Sequence, residues 1–344
     1  MFAYLVFLVA PVVPGAAAFF FLRRQRRSGK PATWLSLAAG NALVLLFLLF
    51  VGFFGFETYY RFFCDQTDAM ADTLVSTAWA RRYVRLNNIG VRDNIDYVFS
   101  RTPFRRRVTF VGDSFAAGLG LKNVEDRFAN RIRRRHPEWE VHDVAKPGLE
   151  TSNEVEAVHN LVVSNGYALD LVVLVYNMND IGEVMPDSIA AYRKLIADPF
   201  RNSWLCRNSY FVNLYYLRWE VRRTARLQRY FDEIEAAYRG PIFEKHKVAL
   251  KAMCNMTIIR GGRLVVVTFP FMHDPARFKA AHARMNEFWK EHGVPNLDLL
   301  PVFSNLPPAS ITVNAHDAHP NERAHALAAE KIDAFLQEQL RPRK

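Results

Sequence analysis

The apolar residues fall into two kinds of pattern. Met1 to Leu22 and Thr33 to Phe56 contain no charged residue, and each run is long enough to cross a hydrocarbon core of roughly 30 Å as a helix. Leu43 to Phe54 is almost wholly Leu, Val and Phe, whereas Pro11 and Pro14 predict a kink in the first run. From Arg107 onward the pattern changes to short β-branched runs alternating with helical spacing. Strands are predicted at Arg107–Val111, Glu140–Val144, Leu169–Tyr176, Arg263–Phe269 and Leu297–Leu300. Leu169–Tyr176 is nearly continuous in apolar residues, the pattern of a parallel strand covered on both faces.

Helices are predicted between these strands. One runs from about Glu125 to Arg135, with Phe128 and Ile132 facing a core. A second is capped by Thr151 or Ser152 and carries Val155, Val158, His159 and Val162 at helical spacing. Others cover Phe243–Ile259, Pro275 to about Glu291, and Asn321–Leu340, where Ala324, Leu327, Ala328, Ile332, Phe335, Leu336 and Leu340 form a stripe and Pro320 suits the first turn. Strands separated by helices imply a doubly wound α/β domain with a parallel sheet. The predicted organisation is two transmembrane helices in 1–56, a juxtamembrane collar in 57–106 without strong periodicity, and an α/β domain in 107–344. An aromatic and arginine-rich helical insertion, about 185–240, interrupts that domain and is read as covering its site or meeting a membrane or partner.

Charge adds a topology. The loop 23–32 between the apolar runs holds Arg23, Arg24, Arg26, Arg27 and Lys30, which by the positive-inside rule is cytoplasmic and places the chain after about Glu57 outside the cytoplasm, the periplasmic side if the cell is bacterial. A cleaved signal peptide would carry its basic residues before the apolar run, so two retained spans are expected. Tyr59, Tyr60, Phe62 and Phe63 suit a membrane–water boundary. The net charge of +11 also includes Arg105–Arg107, Arg131, Arg133–Arg135 and Arg218, Arg222, Arg223, Arg226 and Arg229. Such runs read first as solvated faces, and beside a membrane as contacts for anionic headgroups or acidic glycans. No nucleic-acid signature accompanies them, so no nucleic-acid partner is expected. Three cysteines are too few for a disulfide framework; Cys206 and Cys254 pair outside the cytoplasm, or all three with Cys64 remain free thiols.

Chemistry enters at Gly112-Asp113-Ser114-Phe115, where the first strand breaks into a turn that lifts Ser114 off its carboxyl end. Alone, this stretch serves a nucleophile or a phosphate-binding or capping serine equally well. A serine nucleophile needs a base, and the base needs a partner that fixes its tautomer and stabilises its imidazolium. Asn314-Ala315-His316-Asp317-Ala318-His319-Pro320-Asn321 supplies both, with His319 as base and Asp317 as its carboxylate. Oxyanion donors aimed at developing charge stand at three strand ends: the backbone N–H of Ser114, that of Gly148, and the side-chain amide of Asn179. Asp113 and Asp180 are read as supports that bond loop N–H groups.

Those blocks, Gly112-Asp113-Ser114-Phe115, Gly148, Asn179-Asp180 and Asp317-Ala318-His319-Pro320-Asn321, resemble in order the SGNH (GDSL-type) hydrolase family, and the two-span amino terminus resembles its bacterial membrane-anchored members. The resemblance implies a flavodoxin-like three-layer α/β/α fold, a serine nucleophile, a histidine base with an aspartate on the same loop, a serine–glycine–asparagine oxyanion hole, and no metal or organic cofactor. Two positions depart from the family pattern. Asn177 stands where a glycine is usual, and the last block has His316 at the usual aspartate position, with Asp317 two residues before His319. Asp317 is assigned because only a carboxylate stabilises the imidazolium; His316 lines the pocket or has no role. The function read from this is a membrane-anchored serine ester hydrolase acting on acyl esters, with cell-envelope glycans or lipids as substrates. The same residues serve an O-acyltransferase, and a non-catalytic glycan-binding or assembly subunit would keep the fold without turnover. A nucleotide-binding module lacks its Gly-rich spacing here.

Overall fold

The computed structural model describes residues 2–29, 31–69, 72–185, 194–225 and 229–341. Lys30 of the basic loop, Arg226 of the basic run and residues 186–193 and 226–228 of the predicted insertion lie outside them. The chain divides into two units. The first comprises Met1–Gln66, Ala71–Trp79 and Tyr192–Arg223; the second comprises Thr67–Met70, Ala80–Ala191 and Thr224–Lys344.

The first unit is helical. Helices Phe2–Val9 and Val12–Ser28 meet at Ala10–Pro11, the break that Pro11 predicts, and Trp34–Phe62 follows as one uninterrupted helix. Phe2–Ser28 and Trp34–Phe62 are long and apolar enough to cross a membrane. Their Leu45, Leu48, Leu49, Phe19 and Phe20 side chains face outward, the arrangement that hydrocarbon rather than water rewards. At the far end of Trp34–Phe62, buried Glu57 accepts hydrogen bonds from Ser209 Oγ at 2.7 Å and from the backbone N–H groups of Tyr210 and Phe211 at 3.2 and 3.1 Å. It thereby satisfies orphan donors at the start of helix Tyr210–Arg223, and Arg61 pairs with it at 2.6 Å.

The second unit carries a five-stranded parallel sheet in the order β2-β1-β3-β4-β5, where β1 is Arg106–Gly112, β2 Trp139–Ala145, β3 Leu171–Asn177, β4 Arg263–Phe269 and β5 Asn296–Asp298. The two-residue period of the strands divides the core into two layers. Val172, Leu174 and Tyr176 of β3 pack with Leu264 and Val266 of β4 under helices Thr151–Asn165, Pro241–Ile259 and Lys279–Glu291. Leu171, Val173 and Val175 pack with Val265, Val267 and Phe269 against helices Phe128–Arg135 and Glu322–Leu340. Each such side chain contributes about 1.5–3 kcal/mol of burial. The unit is thus the expected three-layer α/β/α sandwich. Part of the segment predicted as a collar is tied into it by charge: Asp93 receives Arg127 at 3.0 Å and Arg133 at 2.6 Å.

Several local expectations need correction. Helix Leu74–Tyr83 lies in the segment that showed no periodicity. Glu150, not Thr151 or Ser152, holds the cap position of helix Thr151–Asn165, and it makes no side-chain cap bond. Instead the Ser152 N–H donates to Glu183 at 2.8 Å. The buried face of that helix holds Thr151, Glu154, Val158 and Leu161, whereas His159 is exposed. The Glu125–Arg135 helix is split at Arg127 into a 3-10 turn and an α-helix. Leu300 belongs to a short helix, Leu300–Phe303, rather than to a strand. The predicted loop 314–321 contains part of an antiparallel hairpin, β6 Thr312–Asn314 with β7 Asp317–Pro320. Pro320 therefore ends a strand, and Asn321 caps the last helix by accepting the Ala324 N–H at 3.0 Å. All three cysteines are buried, and Cys206 and Cys254 are not bridged to one another.

Candidate active site

The strand order reverses between β1 and its neighbours β2 and β3, and in open α/β sheets ligands bind outside the carboxyl ends of the strands at such a switch point. β1 ends there at Gly112. A Cβ on that residue would lie 2.8 Å from Ala116 Cβ and 3.0 Å from the Val175 carbonyl, so only glycine lets the turn fold this tightly against β3. Asp113 then caps the short helix Ser114–Ala117 by accepting the Phe115 N–H at 2.8 Å, and Ser114 stands at that helix's first position.

β7 brings His319 to the same place. Residues two apart on a strand point to the same side, so Asp317 and His319 face one another without the usual one-residue-longer spacing. His319 Nε2 lies 2.8 Å from Ser114 Oγ, and His319 Nδ1 bonds Asp317 Oδ1. The same carboxylate oxygen accepts the His319 backbone N–H at 3.1 Å. Asp317 Oδ2 accepts the Thr67 hydroxyl. Asp317 is fully buried, with Ser114 and His319 nearly so.

The electrostatics follow from these contacts. Burial works to raise the Asp317 pKa, but the charge and hydrogen bond of His319, with the Thr67 bond, hold it below the ordinary carboxylate value. Burial works to lower the His319 pKa, yet the charge and hydrogen bond of Asp317, helped by the Asp113 charge, raise it above the ordinary imidazole value. Burial raises the Asp113 pKa against the Phe115 N–H bond and the His319 charge.

β3 ends in the segment that departs from the family pattern. Asn177 has φ −114°, an extended backbone that any residue adopts, so glycine is not required there. Its side chain accepts the Asn179 N–H at 3.2 Å, while Asp180 accepts the Asn177 N–H at 3.3 Å. The Asn179 amide is thereby aimed at Asp113 Oδ2, 3.4 Å away. Hydrogen bonds thus join Ser114, His319, Asp317, Asp113 and Asn179. Gly148 stands exposed just beyond the end of β2, with φ +81°, and makes no hydrogen bond to that group among the described residues. His316 is exposed, its N–H donating to Asn314 Oδ1 at 2.8 Å. Among the described residues no cluster of His, Cys, Asp or Glu is arranged to hold a metal ion.

Two further residues at the site escape a reading of the sequence. Thr67 lies in a segment without motif or period. Glu154 carried a signal, because it shares the helical stripe of Val158 and Leu161, where a carboxylate is out of place. Both its carboxyl oxygens are buried without a hydrogen-bond partner among the described residues. Burial, then the charges of Asp113 and Glu183, push its pKa well above the ordinary value. Asp180 is raised in the same way, by burial and then by the charges of Glu154 and Asp113.

Residues 110–327 match the model of the GDSL-like lipase/acylhydrolase family. No curated protein matches the chain. Among solved structures, the chain is similar to TesA at 14% identity, covering 68% of this chain and 100% of that one with a TM-score of 0.43. It is also similar to a lipase/acylhydrolase from Enterococcus faecalis, at 15% identity over 70% of this chain and 100% of that one, TM-score 0.41. A third is the psychrotrophic esterase EstA from Pseudoalteromonas sp., at 10% identity over 68% of this chain and 98% of that one, TM-score 0.41. With the family model spanning most of the chain and the parallel sheet beneath it, the chain belongs to the GDSL-like lipase/acylhydrolase family and is a serine esterase, a hydrolase of ester bonds.

Proposed function

We propose that the protein is a membrane-anchored esterase in which Ser114, His319 and Asp317 form the catalytic triad, acting on acyl esters of cell-envelope glycans or lipids. The observation that carries the triad is the unbroken chain of hydrogen bonds from Ser114 Oγ through both ring nitrogens of His319 to Asp317. In the first half-reaction Ser114 Oγ attacks the ester carbonyl as its proton passes to His319 Nε2. The imidazolium so formed is stabilised by the Asp317 carboxylate, then gives the proton to the departing alcohol, leaving an acyl-serine. Water, deprotonated by His319, attacks the acyl-serine and frees the acid. The carbonyl oxygen becomes negative twice, and the Ser114 and Gly148 N–H groups with the Asn179 amide are the donors assigned to it. Asp113 and Asp180 support the loops that carry Ser114 and Asn179 by accepting backbone N–H bonds.

The substrate class rests on location. The two apolar helices and the basic loop between them support an anchored protein with its esterase unit outside the cytoplasm. A protease that does not cross the inner membrane, added to spheroplasts whose outer membrane has been opened, then digests the esterase unit; digestion only after the spheroplasts are lysed would reverse the orientation. Ester turnover is tested on the full chain in detergent with p-nitrophenyl acetate. S114A and H319A should each lose about 10³-fold or more of kcat, and a fluorophosphonate should label the parent but not S114A. Unchanged turnover in either variant would overturn the triad. Faster release of nitrophenol on adding oligosaccharide, with acyl groups recovered on the sugar, would identify a sugar hydroxyl as the physiological acceptor.

A further inference from the structure

Asp317 sits at the back of the site with no access to water, and a buried carboxylate needs donors on both oxygens. Oδ1 is served by His319 itself, through Nδ1 and the backbone N–H. Among the described residues, the donor on Oδ2 is the hydroxyl of Thr67. That residue comes from 250 positions earlier in the chain and lies outside the stretch that matches the family, residues 110–327. In chain order it falls a few residues after the end of the long apolar helix Trp34–Phe62.

The contact is built on both sides. The Thr67 side chain is 2% exposed, and its carbonyl accepts the Asn314 side-chain amide at 3.1 Å. Two residues on, the Ala69 N–H donates to the His316 carbonyl at 3.1 Å. Asn314 in turn accepts the His316 N–H. Residues 67–69 thus run as a strap along the hairpin that carries Asp317 and His319, fastened before, beside and behind the carboxylate. A hairpin this short, one of whose strands is Thr312–Asn314, is marginal without packing partners, and the strap supplies one.

We propose that Thr67 is a positioning residue of the esterase, holding the Asp317 carboxylate in the plane that serves His319 Nδ1, so that the juxtamembrane segment completes an active site otherwise contained in the family domain. This rests on the triad reading. Thr67 touches no reacting atom and acts through Asp317: without its hydroxyl, the carboxylate is free to turn and the imidazolium loses its fixed counter-ion in the transition state. Substrate binding does not involve it, so the loss falls on kcat and spares KM.

The test uses the full chain in detergent with p-nitrophenyl acetate, comparing the parent, T67V, T67A, T67S and S114A. T67V keeps the shape and removes the hydroxyl, and should lower kcat about tenfold with KM within about twofold of the parent. T67S keeps the hydroxyl and should restore kcat to within about twofold. Thermal midpoints identify any variant that fails to fold; if T67V does, the same split between T67A and T67S decides. Equal kcat in parent and T67V or T67A, or T67S as slow as those variants, overturns the positioning role while loss of activity in S114A leaves the triad standing. Full activity in S114A overturns the triad and this role with it.

Discussion

Asp317 and Glu154 are both completely buried in the same unit, yet their carboxyl pKa values are shifted in opposite directions. Asp317 receives donors on both oxygens, two from His319 and one from Thr67, and its pKa is held below the ordinary value despite burial. Glu154 projects from the buried face of a helix with neither oxygen partnered among the described residues, and its pKa is pushed well above the ordinary value. Burial is common to both; the donors are not. Desolvation disfavours the charged form wherever it acts, and only hydrogen bonds or opposite charge reverse it. The charged form is therefore favoured at Asp317, on the histidine side of Ser114, and the protonated form at Glu154. In the proposed mechanism, the contrast keeps a negative charge beside the ring that becomes an imidazolium.

The comparison breaks most severely if Asp317 is neutralised in place. D317N keeps the shape but removes the charge, and should lower kcat by about 10³–10⁴. The sign of the accompanying pH effect follows from His319. Its pKa is raised by Asp317 against burial, and the base must be neutral to accept the Ser114 proton, so in the parent activity is lost as pH falls through a value above the ordinary 6.5. In D317N the burial contribution is left unopposed by that charge. The acid limb of kcat/KM then moves to lower pH even as the plateau collapses. An acid limb unmoved in D317N would show that another group governs it.

Which parts of this arrangement the sequence discloses follows from range. β4 occupies Arg263–Phe269, the span expected of it, because a strand covered on both faces must be apolar at nearly every position. Gly112 is legible for a related reason: the turn leaves no room for a Cβ, so the constraint is written in one residue. The preference for Asp317 over His316 came from chemistry, since an imidazole cannot neutralise an imidazolium. The hairpin Thr312–Pro320 was hidden because its strands are only three and four residues long, too short for an alternation to register as a period, and Pro320 reads equally well as a helix start. Helix Leu74–Tyr83 was hidden because its buried positions are few, Val75 and Trp79, too short a stripe to register as a period. Thr67 was beyond reach for another reason: its partner is 250 residues away, and neither residue carries a mark of the other. Glu154 was visible in the helical pattern, but a carboxylate is ordinarily assigned to the solvent face, and here packing overrode that expectation.

The smaller effect tests the other half of the comparison. Glu154 has its folded-state pKa raised above the unfolded value, so the folded protein holds a proton that the unfolded chain releases. The stability tied to that proton is fully present below the ordinary carboxyl pKa, about 4.3, and is lost as pH rises toward the folded value. Glutamine mimics the protonated acid and does not titrate. E154Q should therefore unfold at the same temperature as the parent near pH 4 and at a higher one near pH 8. Each tenfold difference in proton affinity between the folded and unfolded chain corresponds to about 1.4 kcal/mol, which for a unit of this size is a rise of about 2–4 °C. Turnover of p-nitrophenyl acetate by E154Q should stay within about threefold of the parent at pH 7, since glutamine keeps the shape of the protonated acid that burial favours. Midpoints compared across pH in the same detergent decide the matter. A midpoint for E154Q that falls below the parent's at pH 8 would mean that Glu154 is an anion with a partner, and the two carboxyl groups would then differ in position but not in state.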